Sequence, residues 1–198
     1  MKIRYLFMEN VFTISNLLTI LRVAALPFIV YYMHLESITG NKEFAYCQLG
    51  FFFVVILSDF FDGMFARSFN QVSKLGQFLD PVADKICLII LGTSLIFYKG
   101  FPVWIFAVII ARELFVVISA LLLFYRKDVE VKPNIFGKLG VAFMALTGVL
   151  YFISYSFDLF GLIEAKLLTA YLTLIFYITG SILYVKTYSI YYTGQETL

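Results

Sequence analysis

Long apolar runs constrain this chain most strongly, because they recur along most of its length with only short connectors between them. Six runs stand out, at residues 17–33, 44–66, 81–98, 102–124, 136–157 and 165–188. A helix of about 20 apolar residues crosses the ~30 Å hydrocarbon core of a bilayer, so each run is a candidate transmembrane helix. Hydrophobic residues make up 62% of the chain and charged residues 14%, which excludes an ordinary soluble domain.

The backbone of a membrane-spanning segment must satisfy its hydrogen bonds internally, and an α-helix does so. The sequence therefore predicts an all-α membrane protein in which six transmembrane helices form one bundle. Because the connectors are short, we expect a single domain over residues 1–198. The segment before the first run, including the alternating residues 5–14, predicts a short N-terminal helix lying on the membrane surface.

Lysine and arginine are distributed unequally between the two sides of the predicted bundle. Nine lie in segments that are cytoplasmic if the N-terminus is cytoplasmic: Lys2, Arg4, Arg67, Lys74, Arg126, Lys127, Lys132, Lys138 and Lys186. Three lie on the other side: Lys42, Lys99 and Lys166. This bias predicts a multi-pass protein with its N-terminus facing the cytoplasm. We expect it to lie in a bacterial cytoplasmic membrane. The net charge of +2 is too small to suggest a nucleic-acid partner, whereas membrane lipids are expected partners.

Four aspartates interrupt the apolar pattern in the segment SDFFDGMFARSFNQVSKLGQFLDPVADK, at residues 58–85. Asp59 and Asp62 are three residues apart, and Asp80 and Asp84 are four apart, so each pair shares one face of a helix. An ionised Asp inside a bilayer costs at least ~2.5 kcal/mol, so four together need metal ions, cationic side chains or water. Carboxylates are hard oxygen ligands, and the pattern predicts a divalent-metal site near the cytoplasmic ends of the second and third helices.

Small and basic residues accompany the aspartates. Gly63 lets a ligand approach the helix backbone, Ala66 keeps the same face low one turn later, and Arg67 supplies a cation. Pro81 suits the first turn of a helix, which places Asp80 at or near its N-cap. These residues predict an open helix face able to accept an anionic ligand.

Arg22 is unusual because it lies inside the first apolar run. It either reaches back to the membrane interface or pairs with anions from another helix, of which Asp59 and its neighbours are the candidates. Asn16 can cap the first helix, and Thr19 stands with Arg22 on its inner third. We therefore expect these three residues to support the aspartate site.

A second pair of charges, Arg112 and Glu113, lies in the fourth apolar run. Either the two neutralise each other in the core, or, because successive helix residues point ~100° apart, Arg112 has another partner. Gly137 and Lys138 open the fifth run, a position suited to a phosphate or an anionic headgroup.

The aspartate segment resembles the signature of the CDP-alcohol phosphotransferase family. All eight fixed positions of that signature are present at the family's spacing: Asp59, Asp62, Gly63, Ala66, Arg67, Gly76, Asp80 and Asp84. Outside it, NLLTILR followed by Pro27 is similar to the first helix of phosphatidylglycerophosphate synthases. LDPVADK and ARE resemble their third and fourth helices, and Gly137 with Lys138 resembles their fifth.

This resemblance implies a six-helix enzyme that moves a phosphatidyl group from CDP-diacylglycerol to an alcohol and releases CMP. It implies two Mg²⁺ or Mn²⁺ ions held by Asp59, Asp62 and Asp80, with Asp84 sharing a metal and acting as the catalytic base. It implies a donor pocket made by five residues: Asp62, Gly63, Ala66, Arg67 and Gly76. It also favours a homodimer and an active site that faces the cytoplasm.

Glycerol-3-phosphate is the first choice of acceptor, which would give phosphatidylglycerophosphate, and Arg112 and Lys138 are the cations expected to bind its phosphate. Ala120, however, occupies a position where phosphatidylglycerophosphate synthases commonly have Arg. The segment VEVKPNIFGK also resembles cardiolipin synthases of the same superfamily, whose acceptor is phosphatidylglycerol. That activity, or another CDP-alcohol phosphatidyltransferase, is the alternative.

Two other classes would use similar aspartates. A membrane prenyltransferase binds a diphosphate through Asp-rich helices and Mg²⁺, but it gives no evident role to Gly63, Ala66 and Arg67. A cation transporter, the non-enzyme alternative, needs polar residues that continue across the bilayer, and the fifth and sixth runs contain few.

Overall fold

The computed structural model describes the backbone of residues 14–69, 74–127, 135–157 and 161–193, and side chains within these ranges except at 14–15, 59–60, 62–69, 74–78, 120–127 and 187–193. Its helices are α1 (Ile14–Thr39), α2 (Glu43–Phe69), α3 (Lys74–Lys99), α4 (Val103–Lys127), α5 (Ile135–Ser156) and α6 (Leu162–Thr193). The described backbone contains no strand. Each predicted apolar run lies in one of these helices or extends at most one residue beyond it, which confirms the all-α class.

Within the residues that the structure describes, four stretches are long and apolar enough to cross a membrane, with mean hydropathies of 1.6 or 1.7. They are Asn16–Thr39 in α1, Leu79–Lys99 in α3, Ile135–Ser156 in α5 and Leu162–Lys186 in α6. This agrees with a multi-pass membrane protein. The predicted surface helix before α1 lies outside the described residues.

The contacts between residues divide the chain into two compact units, residues 1–100 and 101–198. In the first unit, α1 packs along both α2 and α3. Leu26, Ile29 and Met33 of α1 are completely buried, and Ala45 and Phe52 of α2 join them in the core. Their spacing of three and four residues gives α1 a continuous buried stripe. The expectation of one domain stays a prediction.

A tight connection sets the path from α1 to α2. Gly40 has a left-handed φ of +65°, and its N–H donates to the carbonyl of Glu36 over 2.8 Å, which ends α1. The Asn41 side chain then accepts a hydrogen bond of 2.9 Å from the N–H of Glu43, which caps α2. A connection this short makes α1 and α2 antiparallel neighbours.

The start of α3 differs from the prediction that Asp80 caps a helix whose first turn contains Pro81. The helix begins at Lys74, so Pro81 lies inside it. The segment KLGQFL contains mainly residues with good helix propensity, which explains the earlier start. Because Pro81 has no N–H, the carbonyl of Gln77 does not receive the usual intrahelical hydrogen bond from this position.

In the second unit, α6 packs against both α5 and α4. Glycine makes the approach of α5 and α6 possible, because a Cβ on Gly140 would lie 2.1 Å from the buried ring of Tyr177. A Cβ on Gly180 would lie 3.2 Å from the backbone nitrogen of Gly137. Small residues of this kind let helix backbones pack closely.

Candidate active site

Helices α1 and α3 bring two pairs of polar side chains together within the first unit. The Thr19 hydroxyl donates a hydrogen bond of 2.7 Å to Oδ1 of Asp80. One turn along, Nη1 of Arg22 donates to Oδ1 of Asp84 over 2.5 Å. The partners are 61 and 62 positions apart in the sequence, so α1 and α3 run parallel here in nearly constant register.

In the Arg22–Asp84 ion pair, the arginine is buried and the aspartate is about half exposed. The Arg22 side chain is 2% exposed, whereas the Asp84 side chain is 53% exposed. A buried guanidinium requires a charge partner, and Asp84 supplies one from a different helix. Arg22 therefore pairs with an anion of another helix instead of reaching back to the membrane interface.

The donor chemistry at Asp80 and Asp84 fits a divalent cation. The two residues lie four positions apart on α3, so their carboxylates share a helix face, and carboxylate oxygens are the ligands that Mg²⁺ and Mn²⁺ prefer. Among the side chains that the structure describes, no group of three or more His, Cys, Asp or Glu residues could hold a metal ion. The side chains of Asp59 and Asp62, both on α2, are outside that set, and the metal site stays a prediction.

The structure describes the backbone of several predicted site residues but not their side chains. The donor-binding set is of this kind: Asp62, Gly63, Ala66 and Arg67 on α2 and Gly76 near the start of α3. Asn16 is described, and it is buried at 3% exposure near the start of α1. Of the residues predicted for the first unit, the structure thus brings Thr19 and Arg22 together with Asp80 and Asp84.

A second polar cluster joins α1, α2 and α3 at the other end of the α1–α3 contact, and sequence reasoning missed it. Nε2 of Gln48 donates to Oε2 of Glu36 over 2.6 Å and lies 3.1 Å from the carbonyl of Tyr32. The Lys99 ammonium pairs with the same Glu36 oxygen. Glu36, Gln48 and Lys99 are 9%, 0% and 2% exposed. Lys99, which was counted from the sequence only as a charge on one side of the bundle, is therefore a buried ion-pair partner.

Arg112 in the second unit has two partners. Its Nη1 donates to Oε1 of Glu113 over 2.6 Å, and its guanidinium carbon lies 4.3 Å from the centre of the Tyr177 ring. The pair with Glu113 corresponds to the first of the two alternatives left open by the sequence, and the flexible Arg112 side chain allows it despite the ~100° between neighbouring helix residues. Tyr177 is an additional partner that the sequence did not identify. A Cβ on Gly137 would lie 3.3 Å from Nη2 of Arg112, so this guanidinium abuts the first turn of α5. Lys138, also in that turn, is exposed.

This chain is similar in sequence to known proteins over more than half of its length. The model of the CDP-alcohol phosphatidyltransferase family matches residues 12–183. A CDP-diacylglycerol--glycerol-3-phosphate 3-phosphatidyltransferase of Aquifex aeolicus is 30% identical over 136 residues, which are 68% of this chain and 72% of that protein. The Escherichia coli protein of the same name is 40% identical over 113 residues, covering 56% of this chain and 58% of that protein.

A second group of relatives carries a different name. The human cardiolipin synthase (CMP-forming) is 35% identical over 119 residues, which are 60% of this chain but 37% of the human protein. The matched part is thus less than two thirds of the length of the human and Escherichia coli relatives. Proteins with either name align with this chain at similar identity.

Proposed function

Because the chain belongs to the CDP-alcohol phosphatidyltransferase family, we propose that it transfers a phosphatidyl group from CDP-diacylglycerol to glycerol-3-phosphate, releasing CMP and forming phosphatidylglycerophosphate. One observation carries this proposal: the family match over residues 12–183 includes every fixed position of the aspartate signature. Relatives named for this reaction, with 30% and 40% identity, support the choice of donor and acceptor.

In this proposal Asp59, Asp62 and Asp80 hold two Mg²⁺ or Mn²⁺ ions, and Asp84 shares one of them. Such ions, when bound, neutralise charge on the diphosphate and on the departing CMP. Asp80 and Asp84 suit this role because their carboxylates share one face of α3. Charge balance also favours it, since four carboxylates in an apolar segment need cations.

The protein's own groups handle the proton and the substrates. The acceptor hydroxyl oxygen forms a bond to the phosphorus of the phosphatidyl group, the bond from that phosphorus to the bridging oxygen breaks, and CMP departs with the bridging oxygen. Asp84 accepts the hydroxyl proton, a role supported by its half-exposed side chain. Arg67 binds the donor diphosphate or nucleotide beside Asp62, Gly63, Ala66 and Gly76.

Arg112 and Lys138 are proposed to bind the phosphate of the acceptor. A planar guanidinium can donate two parallel hydrogen bonds to phosphate, and a lysine in the first turn of a helix adds charge to the positive end of the helix dipole. The position of Arg112 against Gly137, in the first turn of α5, supports grouping these residues.

We also propose six transmembrane spans, a surface helix before α1, and a homodimer in a bacterial cytoplasmic membrane. The N-terminus and the active site face the cytoplasm in this arrangement. The four apolar stretches support the membrane location, and the excess of Lys and Arg on one side supports the orientation.

Cardiolipin synthesis, with phosphatidylglycerol as acceptor, is the second candidate. The human relative named for that reaction, the segment VEVKPNIFGK and the presence of Ala120 favour it. A cation transporter is less well supported, because hydroxyl groups buried in α5 and α6 donate to their own helices. Thr147 bonds the carbonyl of Phe143 over 2.7 Å, and Thr173 bonds that of Thr169 over 2.9 Å.

The deciding experiment supplies purified protein with CDP-diacylglycerol, Mg²⁺ or Mn²⁺, and one labelled acceptor at a time. Glycerol-3-phosphate, phosphatidylglycerol, serine and inositol phosphate are compared, and both released CMP and the lipid product are identified. We expect stoichiometric CMP and phosphatidylglycerophosphate with glycerol-3-phosphate. Cardiolipin from phosphatidylglycerol alone would establish the second candidate, and the absence of CMP release with every acceptor would refute the enzyme assignment.

A further inference from the structure

The two contacts from α1 to the aspartates of α3 suggest how these carboxylates are prepared for their ligands. We infer that Thr19 and Arg22 are positioning residues: Thr19 orients the Asp80 carboxylate for metal binding, and Arg22 orients that of Asp84 for the acceptor hydroxyl. This inference rests on the proposed function. It concerns how α1 supports the site and not which residues bind the metal.

An aspartate side chain has considerable rotational freedom at its carboxylate. The terminal torsion of Asp is broad, so an unrestrained carboxylate samples many orientations of its two oxygens. A hydrogen bond of 2.7 Å from Thr19 to Oδ1 of Asp80 restricts the plane of that carboxylate and therefore the direction of its second oxygen. A ligand that is oriented before the metal arrives loses less freedom on binding.

The chemistry of the two contacts differs in charge. Thr19 is a neutral donor that is 2% exposed, so it orients Asp80 without opposing a cation. Arg22 brings a full positive charge to Oδ1 of Asp84 over 2.5 Å, and this charge offsets the repulsion between two carboxylates one turn apart. Because the Arg22 side chain is 2% exposed, it is held by packing and cannot relax into water.

The first test measures Mn²⁺ binding to purified protein by electron paramagnetic resonance, without donor or acceptor. Thr19→Val keeps the shape of the side chain but removes the donor, and we expect about 10-fold weaker Mn²⁺ binding. Thr19→Ser keeps the hydroxyl and should restore binding. Thr39→Val is the control on the same helix, because the exposed Thr39 hydroxyl donates to the carbonyl of Leu35 and accepts from the N–H of Asn41, away from Asp80.

The second test separates positioning from simple charge balance at Arg22. Removing a positive charge beside a metal site favours cation binding, so Arg22→Met should leave Mn²⁺ affinity unchanged or tighter. If Arg22 orients Asp84, kcat nevertheless falls by about 10- to 100-fold, with the KM for CDP-diacylglycerol little changed. Arg22→Lys, which keeps the charge, should recover part of kcat. If Arg22→Met does not fold, Arg22→Lys alone decides, and kcat equal to the wild type would count against positioning.

The outcomes distinguish this inference from the proposed function. If the unmodified protein binds no Mn²⁺ and releases no CMP, the proposed function is wrong. If it does both, yet Thr19→Val binds Mn²⁺ as well as Thr39→Val does, the role of Thr19 is overturned. Unchanged kcat in Arg22→Met would show that Arg22 is only a counter-ion, and this would overturn the role of Arg22.

Discussion

An ion pair joins α1 and α3 at each end of their contact, but the two pairs differ in exposure and in which helix supplies the cation. At one end the cation, Arg22, comes from α1, and its carboxylate partner Asp84 is 53% exposed. At the other end the carboxylate, Glu36, comes from α1, and Lys99 and Gln48 enclose it with almost no exposed surface. The first end can receive a ligand, whereas the second is closed.

This difference indicates different roles for chemically similar groups. We expect a buried ion pair such as Glu36–Lys99 to specify which helix faces meet. Its charges add little net stability, because apolar residues of similar size would stabilise the fold about as well. A pair with a half-exposed carboxylate keeps a negative charge near the surface of the unit, where a cation or a hydroxyl can reach it. We therefore expect substitutions at the two ends to affect different measurements.

The largest effect is expected from Asp84→Asn, which removes the proposed base while preserving shape. The rate of CMP release per folded molecule should fall by about 10²- to 10⁴-fold. Thermal stability should also fall, because the buried Arg22 guanidinium loses its ion pair with Asp84, so the rate is normalised to the amount of folded protein. The matched control at the closed end is the double variant Glu36→Gln with Lys99→Met, which removes both charges. It should retain CMP release close to that of the unmodified protein, and an equal loss in both variants would abolish the distinction.

Lys99→Met alone should reveal the structural role of the closed end. It leaves the Glu36 carboxylate buried without its ammonium partner, and breaking a buried pair in this way costs about 3–5 kcal/mol of stability. Thermal unfolding in detergent measures the loss, and the double variant should recover most of it. A Lys99→Met protein as stable as the unmodified one would show that this pair contributes little to the fold.

Arg112 tests whether a third ion pair resembles the open end or the closed one. If it binds the acceptor phosphate, Arg112→Ala should raise the KM for glycerol-3-phosphate by about 10- to 150-fold and leave that for CDP-diacylglycerol unchanged. Steady-state kinetics with each substrate varied in turn provides the measurement. A loss of stability with unaltered KM values would place Arg112, with Glu113 and Tyr177, in the structural class.

The smallest effect is expected for Gln48→Met at the closed end. The substitution nearly preserves side-chain volume and removes the contact of Gln48 with Glu36, while Glu36 retains Lys99, so stability should fall by only about 1 kcal/mol. Thermal unfolding again reports the change, and activity per folded molecule should be unaltered. A loss as large as that of Lys99→Met would mean that Gln48 contributes as much as Lys99 to holding Glu36.

The sequence predicted much of this fold because its strongest signals are local. The apolar runs predicted the helices, and the four-residue spacing of Asp80 and Asp84 predicted that they share a helix face. The position of Arg22 inside an apolar run left two interpretations open, of which a partner on another helix was one. Selecting Asp84 from four aspartates required knowledge of the register between α1 and α3, which is a long-range property.

The remaining differences have similar physical causes. The start of α3 was placed too late because Pro81 favours a first turn, whereas the helix propensity of the preceding residues extends the helix back to Lys74. Lys99 was counted only as a cation on one side of the bundle because it follows the end of an apolar run. Its burial depends on Glu36, which is 63 positions away in the sequence, and no local pattern joins the two.

The nearly constant register between α1 and α3 requires both helices to keep nearly the same length between their two ion pairs. Fourteen residues separate Arg22 from Glu36, and fifteen separate Asp84 from Lys99, so both helices advance about 21–23 Å between the two ion pairs. Inserting one residue between the pairs on either helix would rotate everything beyond it by ~100° and displace it by ~1.5 Å. One ion pair would then break. Insertions outside the segments 22–36 and 84–99 leave this spacing intact.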